Sequence, residues 1–338
     1  MKKLINHSTD PAFNLAFEEY FTSRASDIGD SMIFFWRNRP SVIVGRFQNS
    51  FGEVDSATAE KLDIGVFRRN TGGGAVYHDL NNLNYSFIVP AGSEDYLKDA
   101  KNSAPFGLLF DIILSLLASL GVRAEKTGRN DLTLGGRKIS GAARQLTKNG
   151  LLLHGTLLFD VDLETLSRVL AADPVKYESK GLKSVKSRVR NLKEALPAGM
   201  DIAAFQAALE GSLEAEEYVP DTTELAAIEA LAQSKFRAWD WNWGASPPSS
   251  LRKKQRFGWG NLEFCLELEK GVIQKSAVYG DFFSNAARLP SDALGGLLAG
   301  LQGLRHQSPE LRALLEKQPL EQIFLGASAN ELVAFFME

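Results

Sequence analysis

"KISGAARQLTKNGLLLHGTLLFDV", residues 138–161, decides the fold class of this chain. Its two runs, "KISGAARQLT" and "LLLHGTLLFDV", read as strands that follow one another with no helix between them. "NYSFIVP" (84–90) reads as a further strand upstream, and "MIFFWR" and "SVIVG" as short buried strands separated by "NRP". Residues 65–69 form another, leading into a run of glycines. Helical patterns interrupt this series without alternating strictly with it. The expected architecture is therefore α+β, with a mixed or mainly antiparallel sheet flanked by helices.

The helices carry ordinary punctuation. In "STDPAFNLAFEEYFTSRA", Asp10 sits as an N-cap and Pro11 as the first helical residue. Residues 55–63 and the Ala/Glu/Leu-rich stretch 200–236 also read as helical, the latter as two helices. "PFGLLFDIILSLLASLGV" (105–122) is the most apolar segment, but Asp111 and several small residues mark it as a core helix rather than a membrane span. "WDWNWGASPPSS" (239–250) is the best linker candidate, where aromatic residues give way to Pro, Ser and Gly. It divides the chain into a large domain, 1–245, and a small C-terminal α+β domain, 246–338. The small domain reads as two strands around the "KG" of "NLEFCLELEKGVIQKSAVYGDF", followed by a helical tail.

The chain has 338 residues, 44% of them hydrophobic, and a formal net charge of -3. That balance gives no global attraction to nucleic acid or to an anionic membrane, so any anion site must be local. A single cysteine, Cys265, excludes an internal disulfide and a zinc–cysteine cluster. No apolar stretch follows the N-terminal lysines, so a signal peptide is not expected and the cytoplasm is the expected compartment.

Four segments could carry chemistry. In "RRNTGGGAVYHD" (68–79), consecutive glycines let backbone N–H groups turn toward a ligand, and the arginines before them suit phosphate or carboxylate. A strained hairpin with solvated arginines would use the same residues. Neither the Walker pattern nor G-x-G-x-x-G is present. In "GRNDLTLGGRKISGAARQ" (128–145), Asn130 and Asp131 are oxygen ligands of the kind that hold magnesium beside substrate phosphates. As a strand, the same segment would put Lys138 and Ser140 on one face and Arg137 and Ile139 on the other. A lysine among small residues can reach a ligand lying on the backbone, although most lysines are simply solvated. His154, within the apolar "LLLHGTLLFD", is either a hydrogen-bonded core residue or a pocket wall, with Gly155 making room. "KYESKGLKSVKSRVRNLK" (176–193) holds seven Lys/Arg against one Glu. It is either a solvated loop or a loop visited by an anion.

Taken together and in order, these segments resemble the lipoate–protein ligase family. "RRNTGGGAVYHD" looks like its lipoate- and ATP-binding motif, and "GRND" with "RKISGAA" like its second motif. "HGTLL" and "KGLKSVKSRVRNL" look like the third strand motif and the adenylate-binding loop. "DPAFNLAFEEY" and "FFWRNRPSVIVGRFQN" are similar to the N-terminal lipoate region, and the tail resembles the bacterial accessory domain.

The resemblance implies activation of free lipoate by MgATP to lipoyl-AMP with release of pyrophosphate. Transfer to a lysine of apo-lipoyl domains of 2-oxoacid dehydrogenase complexes, or of glycine-cleavage H protein, would follow, in a salvage pathway and by a monomer. Carried over to this chain, Lys138 is the catalytic cation. ATP and adenylate contacts fall to Arg69, Gly74, Ala75, Val76, Tyr77, Lys138, Lys183, Ser184 and Arg188. The lipoate site takes Arg69, Gly73, Gly74, His78, Lys138, Gly141, His154 and Gly155, and magnesium takes Asn130 and Asp131. No residue stands out as a general base. An ATP-independent acyl transferase of the same fold would need a cysteine in the large domain, where there is none. A biotin ligase would show a "GRGRxG"-type loop, which is absent. A carrier-binding module with a decayed site would not keep every motif.

Overall fold

The computed structural model describes the chain except for residues 49, 101–105, 129, 171–187, 244–250, 270–271, 286–291, 307 and 338. It also leaves aside the side chains of 51–52, 56–57 and 98–100. Fourteen strands are named here in chain order. They are β1 (Lys2–Leu4), β2 (Met32–Trp36), β3 (Ser41–Val44), β4 (Gly65–Arg68), β5 (Val76–His78), β6 (Asn82–Pro90) and β7 (Glu125–Thr127). Then come β8 (Asp131–Leu134), β9 (Arg137–Leu146), β10 (Gly150–Leu158), β11 (Glu216–Tyr218), β12 (Leu251–Phe257), β13 (Gly260–Glu269) and β14 (Val272–Gly280).

The main sheet runs β11-β1-β2-β6-β10-β9-β8-β7. It is antiparallel from β2 to β7 and parallel at the β11-β1-β2 edge. The α+β expectation holds, and the two opening runs pair as neighbours, with His154 opposite Ala143. Alternation gives each strand two buried faces. Ile33, Phe35, Tyr85 and Phe87 pack with Phe110 and Ile113 of the apolar helix Gly107–Ser119. Phe34, Trp36, Ile88 and Leu152 pack instead against helix α1 (Pro11–Ser23). As its sequence predicts, α1 begins at Asp10, whose carboxylate accepts from the Ala12 N–H at 3.0 Å, with Pro11 following.

A small sheet, β4-β3-β5, stands beside the main one, and the glycine run joins its outer strands. The C-terminal domain has three strands, β12-β13-β14, rather than the two expected. The missed strand, "LRKKQRF", alternates exposed Arg and Lys residues with less exposed ones and carries few apolar residues, so its apolar signal is weak. The helices of the tail close a separate apolar cluster with this sheet.

The linker expectation needs correction at its first half. Trp239–Asn242 forms a helical turn, and the Asn242 side chain accepts from the Arg68 N–H at 2.9 Å. Residues 244–250 lie outside the described residues.

The two domains meet at the glycine run. Phe282 stacks on Phe47 with centroids 4.5 Å apart, and the Gly280 N–H donates to the Phe47 carbonyl. The next residue, Phe283, enters the core of the main sheet near Phe106. A Cβ on Gly72 would lie 2.1 Å from the Phe282 carbonyl oxygen. The first glycine of the triplet thus admits the backbone at Phe282. Gly72→Ala is expected to cost about 1–3 kcal/mol of stability through overpacking. The check is a lower urea midpoint, with faster proteolysis between the domains.

Candidate active site

A cleft of about 140 Å³ opens between the α1 face of the main sheet, the small sheet and the glycine turn. Its walls include Arg69, Gly73, Gly74, Ala75, Val76, His78, Asn130, Lys138, Gly141, His154 and Gly155. Residues separated by more than eighty positions therefore meet in one place. The sequence reading missed Leu15 of α1, Trp36, Ile43, Asn84, Ala142, Ala143 and Thr156, which also line the cleft.

Lys138 is aimed by an irregularity. Along β8 and β9, Thr133 pairs with Lys138 but Leu132 pairs with Ser140, leaving Ile139 as an extra residue. Strict alternation across 137–140 therefore fails, correcting the shared face expected for Lys138 and Ser140. The Ser140 hydroxyl bonds the Tyr85 phenol at 2.8 Å, while Lys138 turns into the cleft. Its Nζ sits over Gly141, 2.7 Å from where a Cβ would be, so the ammonium rests on bare backbone. Asp131 holds the ammonium at 2.8 Å. The backbone of Lys138 is fixed from the other side by Arg188, whose carbonyl accepts its N–H, and by Arg190, whose N–H donates to its carbonyl, both at 2.8 Å. Arg188, at the end of the basic segment, is thus next to the lysine without lining the cleft. Lys183 and Ser184 lie outside the described residues.

The arginines behave differently from the expectation. Arg69 is buried and commits Nε to the Thr71 hydroxyl, Nη1 to the Ile43 carbonyl, and Nη2 to the Gly72 and Gly74 carbonyls. A single N–H remains for anything in the cleft. Its main work is to brace the turn from behind, because carbonyls of a tight glycine turn need donors once buried. Gly73 completes that turn with φ +93, a conformation glycine adopts without strain. Gly74 has open space where a side chain would project, so it is the triplet member with bare backbone toward a ligand. Arg68 is turned away altogether, into contacts with residues 45–50 and 241–242.

Two further site residues sit with their side-chain positions away from the cleft. In β5, Val76 and His78 line the cleft, but the side chain of Tyr77 points the other way, into a cluster with Val42 and Val44. Gly155 lines the cleft, and the space its Cβ would take on the far side holds the Tyr85 phenol, 2.3 Å away.

The histidines are held by buried partners. Glu18 of α1 accepts from the Ser86 hydroxyl at 2.6 Å and pairs with His154 Nδ1 at 2.7 Å; His154 Nε2 meets the Thr71 hydroxyl at 2.8 Å. This chain ties α1 to the glycine turn through the sheet. Glu18 was legible in principle, because it lies on the buried stripe of α1 with Asn14, Leu15, Phe21 and Thr22, where an acidic residue needs a reason. Asn38 fixes His78. Its amide oxygen accepts from Asn14, so its Nδ2 donates to His78 Nδ1 at 3.1 Å. The His78 proton therefore sits on Nε2. Burial, reinforced by Arg69 and His154, pushes its pKa down to about 3.

A pH dependence follows from that shift. The unfolded imidazole takes up a proton near 6.5, whereas the folded one resists to about 3. Stability is therefore expected to fall as pH drops from 6.5 toward 3. His78→Gln should flatten part of that slope in urea unfolding at pH 7, 5.5 and 4.5.

Asn130 donates its Nδ2 to the Ala142 carbonyl at 2.6 Å, leaving its oxygen toward the cleft. Asp131 is the one carboxylate beside Lys138, and no cluster of three His, Cys, Asp or Glu occurs among the described residues. One carboxylate and one amide oxygen fit magnesium that is bound mainly by substrate phosphates.

The description "lipoyl protein ligase A/B catalytic domain" matches residues 10–214, and "bacterial lipoate protein ligase C-terminus" matches residues 246–336. The chain belongs to the lipoyl protein ligase A/B family. It is an enzyme, and 36% of 332 aligned residues are identical to lipoate–protein ligase 1 of Staphylococcus aureus, over 97% of each chain. Among solved structures, Plasmodium falciparum LipL1 in complex with lipoate superposes with a TM-score of 0.77, covering 100% of this chain and 99% of that one. At 22% identity, that likeness shows the fold alone. A bipartite lipoate protein ligase of Thermoplasma acidophilum, solved with its E2 lipoyl domain, is 28% identical with a TM-score of 0.62, over 74% of this chain and 98% of its own. A lipoate–protein ligase A bound with ATP is 28% identical with a TM-score of 0.59, over 72% and 98%. No described helix is long and apolar enough to cross a membrane.

Proposed function

We propose that this enzyme is an ATP-dependent lipoate–protein ligase, joining lipoate to AMP and passing the lipoyl group to a lysine of an apo-lipoyl domain. The observation that carries this reading is Lys138, a cation held over bare backbone at the mouth of a partly apolar cleft. Adenylation must bring a carboxylate against an α-phosphate. Two unit charges at ~4 Å repel by about 4 kcal/mol at an effective dielectric of 20. An ammonium between them removes that repulsion and meets the charge that grows in the transition state.

The roles follow from placement. Gly74, Ala75 and Val76 offer backbone to the adenylate, Arg69 keeps the turn in shape, and Arg188 sets the strand edge carrying Lys138. Trp36, Leu15 and Ile43 supply apolar walls for the acyl chain, with His78 and His154 among them. Asn130 and Asp131 would hold magnesium, which neutralises phosphate charge when bound; for this Asp131 must release Lys138. The catalytic unit is 1–245 and the accessory unit 246–338. The carriers are lipoyl domains of 2-oxoacid dehydrogenase complexes and glycine-cleavage H protein.

Covalent acyl transfer without ATP is disfavoured by the one cysteine. Cys265 is buried in β13 of the accessory domain, hydrogen-bonded to Glu263, and does not line the cleft. The test is incubation with MgATP, lipoate and an apo-lipoyl domain, read by intact mass. One lipoyl adduct is expected, and none when biotin replaces lipoate. No adduct on any lipoyl domain or H protein would overturn the reading.

A further inference from the structure

The bulge that aims Lys138 carries a polar residue on its inner side. Ile139 and Ser140 are consecutive, and both are fully buried. Lys138 and Gly141, on either side of them, therefore both line the cleft. In an unbulged strand Ser140 would turn outward beside Lys138, and Gly141 would turn inward. The same four residues thus have two arrangements, and the bulged one sets the ammonium over bare backbone. β9 changes partners at this point. Its residues Ala142–Leu146 pair with β10, whereas Lys138 bridges to Val189 instead.

A serine hydroxyl held inside an apolar core is unfavourable without a partner. Tyr85 is that partner, its phenol oxygen 2.8 Å from Ser140 Oγ. The phenol comes from β6, two strands away. Tyr85 pairs with Gly155 of β10, which pairs in turn with Ala142 of β9. From that row the side chain crosses Gly155 diagonally to reach Ser140, two residues along β9. Its oxygen stands 2.3 Å from where a Cβ on Gly155 would be, so a side chain at 155 would press on it. Burial pushes the phenol's pKa up, which keeps the hydroxyl protonated.

We propose that Tyr85, from the far side of the sheet, is a positioning residue for the adenylation step. Its hydroxyl holds Ser140 inward, keeps the bulge at Ile139, and so sets the Lys138 ammonium over Gly141. The inference rests on the ligase reading, which makes that ammonium the catalytic cation. Without the phenol, Ser140 gains by turning outward to the wetter cleft, which brings a Cβ and a hydroxyl up beside Lys138. An alanine at 140 has no polar atom to draw it out, so it would stay inward without help from Tyr85.

The test measures kcat and KM in lipoate-dependent pyrophosphate release, with urea midpoints alongside. Tyr85→Phe, which keeps the ring, should lower kcat by about tenfold through misplacement of the ammonium. KM for lipoate should stay within about twofold, because the cleft walls are unchanged. Adding Ser140→Ala to Tyr85→Phe should recover most of the lost kcat. A purely structural hydrogen bond would lower the urea midpoint and leave kcat alone. Wild-type kcat in folded Tyr85→Phe therefore overturns the proposal, and so does a double variant no faster than Tyr85→Phe. Should Tyr85→Phe not fold, Ser140→Cys, a weaker partner for the phenol, should lower kcat severalfold, and unchanged kcat there overturns it equally. A wild type that shows no lipoate-dependent release sinks the ligase reading instead, and this inference with it.

Discussion

Lys138→Ala is expected to lower lipoate-dependent pyrophosphate release by about a thousandfold while leaving the fold intact. The two halves of that expectation have separate causes. Among the described residues of the cleft wall, the ammonium is the side-chain cation that faces the cleft beside bare backbone, where it would stand between the two anions. Arg69, the other cation in the wall, has four of its five N–H groups committed to the turn and to β3. Stability should barely change, because the Lys138–Asp131 pair is more than a third exposed on each side. Such pairs are worth about 1 kcal/mol or less. Lys138→Arg should recover little, since Nζ rests against the bare backbone of Gly141 as a compact point charge, which a broad planar guanidinium does not reproduce. The measurement is pyrophosphate release alongside thermal unfolding. Near-normal release by Lys138→Ala would remove the mechanism.

The site was legible in sequence where chemistry and local spacing coincide. Lys138 between Arg137 and "ISGAA" marks a lysine with clear backbone around it, and the glycine run marks a turn at which a ligand or a chain can approach. What stayed hidden depends on partners far away in the chain. The extra residue at Ile139 arises from pairing with β8, so alternation read along β9 alone misassigned the face of Ser140. Gly72 and Gly155 look like ligand glycines in sequence, yet each is small because of one neighbour, Phe282 or Tyr85. Trp36 and Asn84 enter the cleft through cross-strand pairing with a row that starts at Gly141, a relation no motif contains. The fold followed more readily, because unbroken strand runs and capped helices are local features. The strands β12, β7 and β8 and the three-residue β1, β5 and β11, all short of long apolar runs, escaped.

Arg68→Ala is expected to produce the converse result, a loss of about 3–4 kcal/mol of stability with no direct effect on chemistry. Arg68 is 6% exposed and has no carboxylate partner among the described residues. It donates instead to the carbonyls of Gly45, Arg46, Gln48, Trp241 and Asn242 and to the Ser50 hydroxyl, at 2.6–3.2 Å. Burial pushes its pKa down to about 10, which still leaves it charged at neutral pH. A planar cation thereby ties the loop after β3 and the turn Trp239–Asn242 to β4, which among the described strands pairs only with β3. Alanine would strand those carbonyls in a space too small to fill well with water. Lysine, with three donors on one atom, would reach only some of them and should lose roughly half as much. Urea midpoints measure the loss. Because Arg68 faces away from the cleft, lipoate KM measured well below the unfolding temperature should stay within about twofold of the wild type. A large KM change at full folding would mean that Arg68 and Arg69 act on the turn as a unit, and that the paired arginines of the motif do not divide into one that holds the fold and one that holds the site.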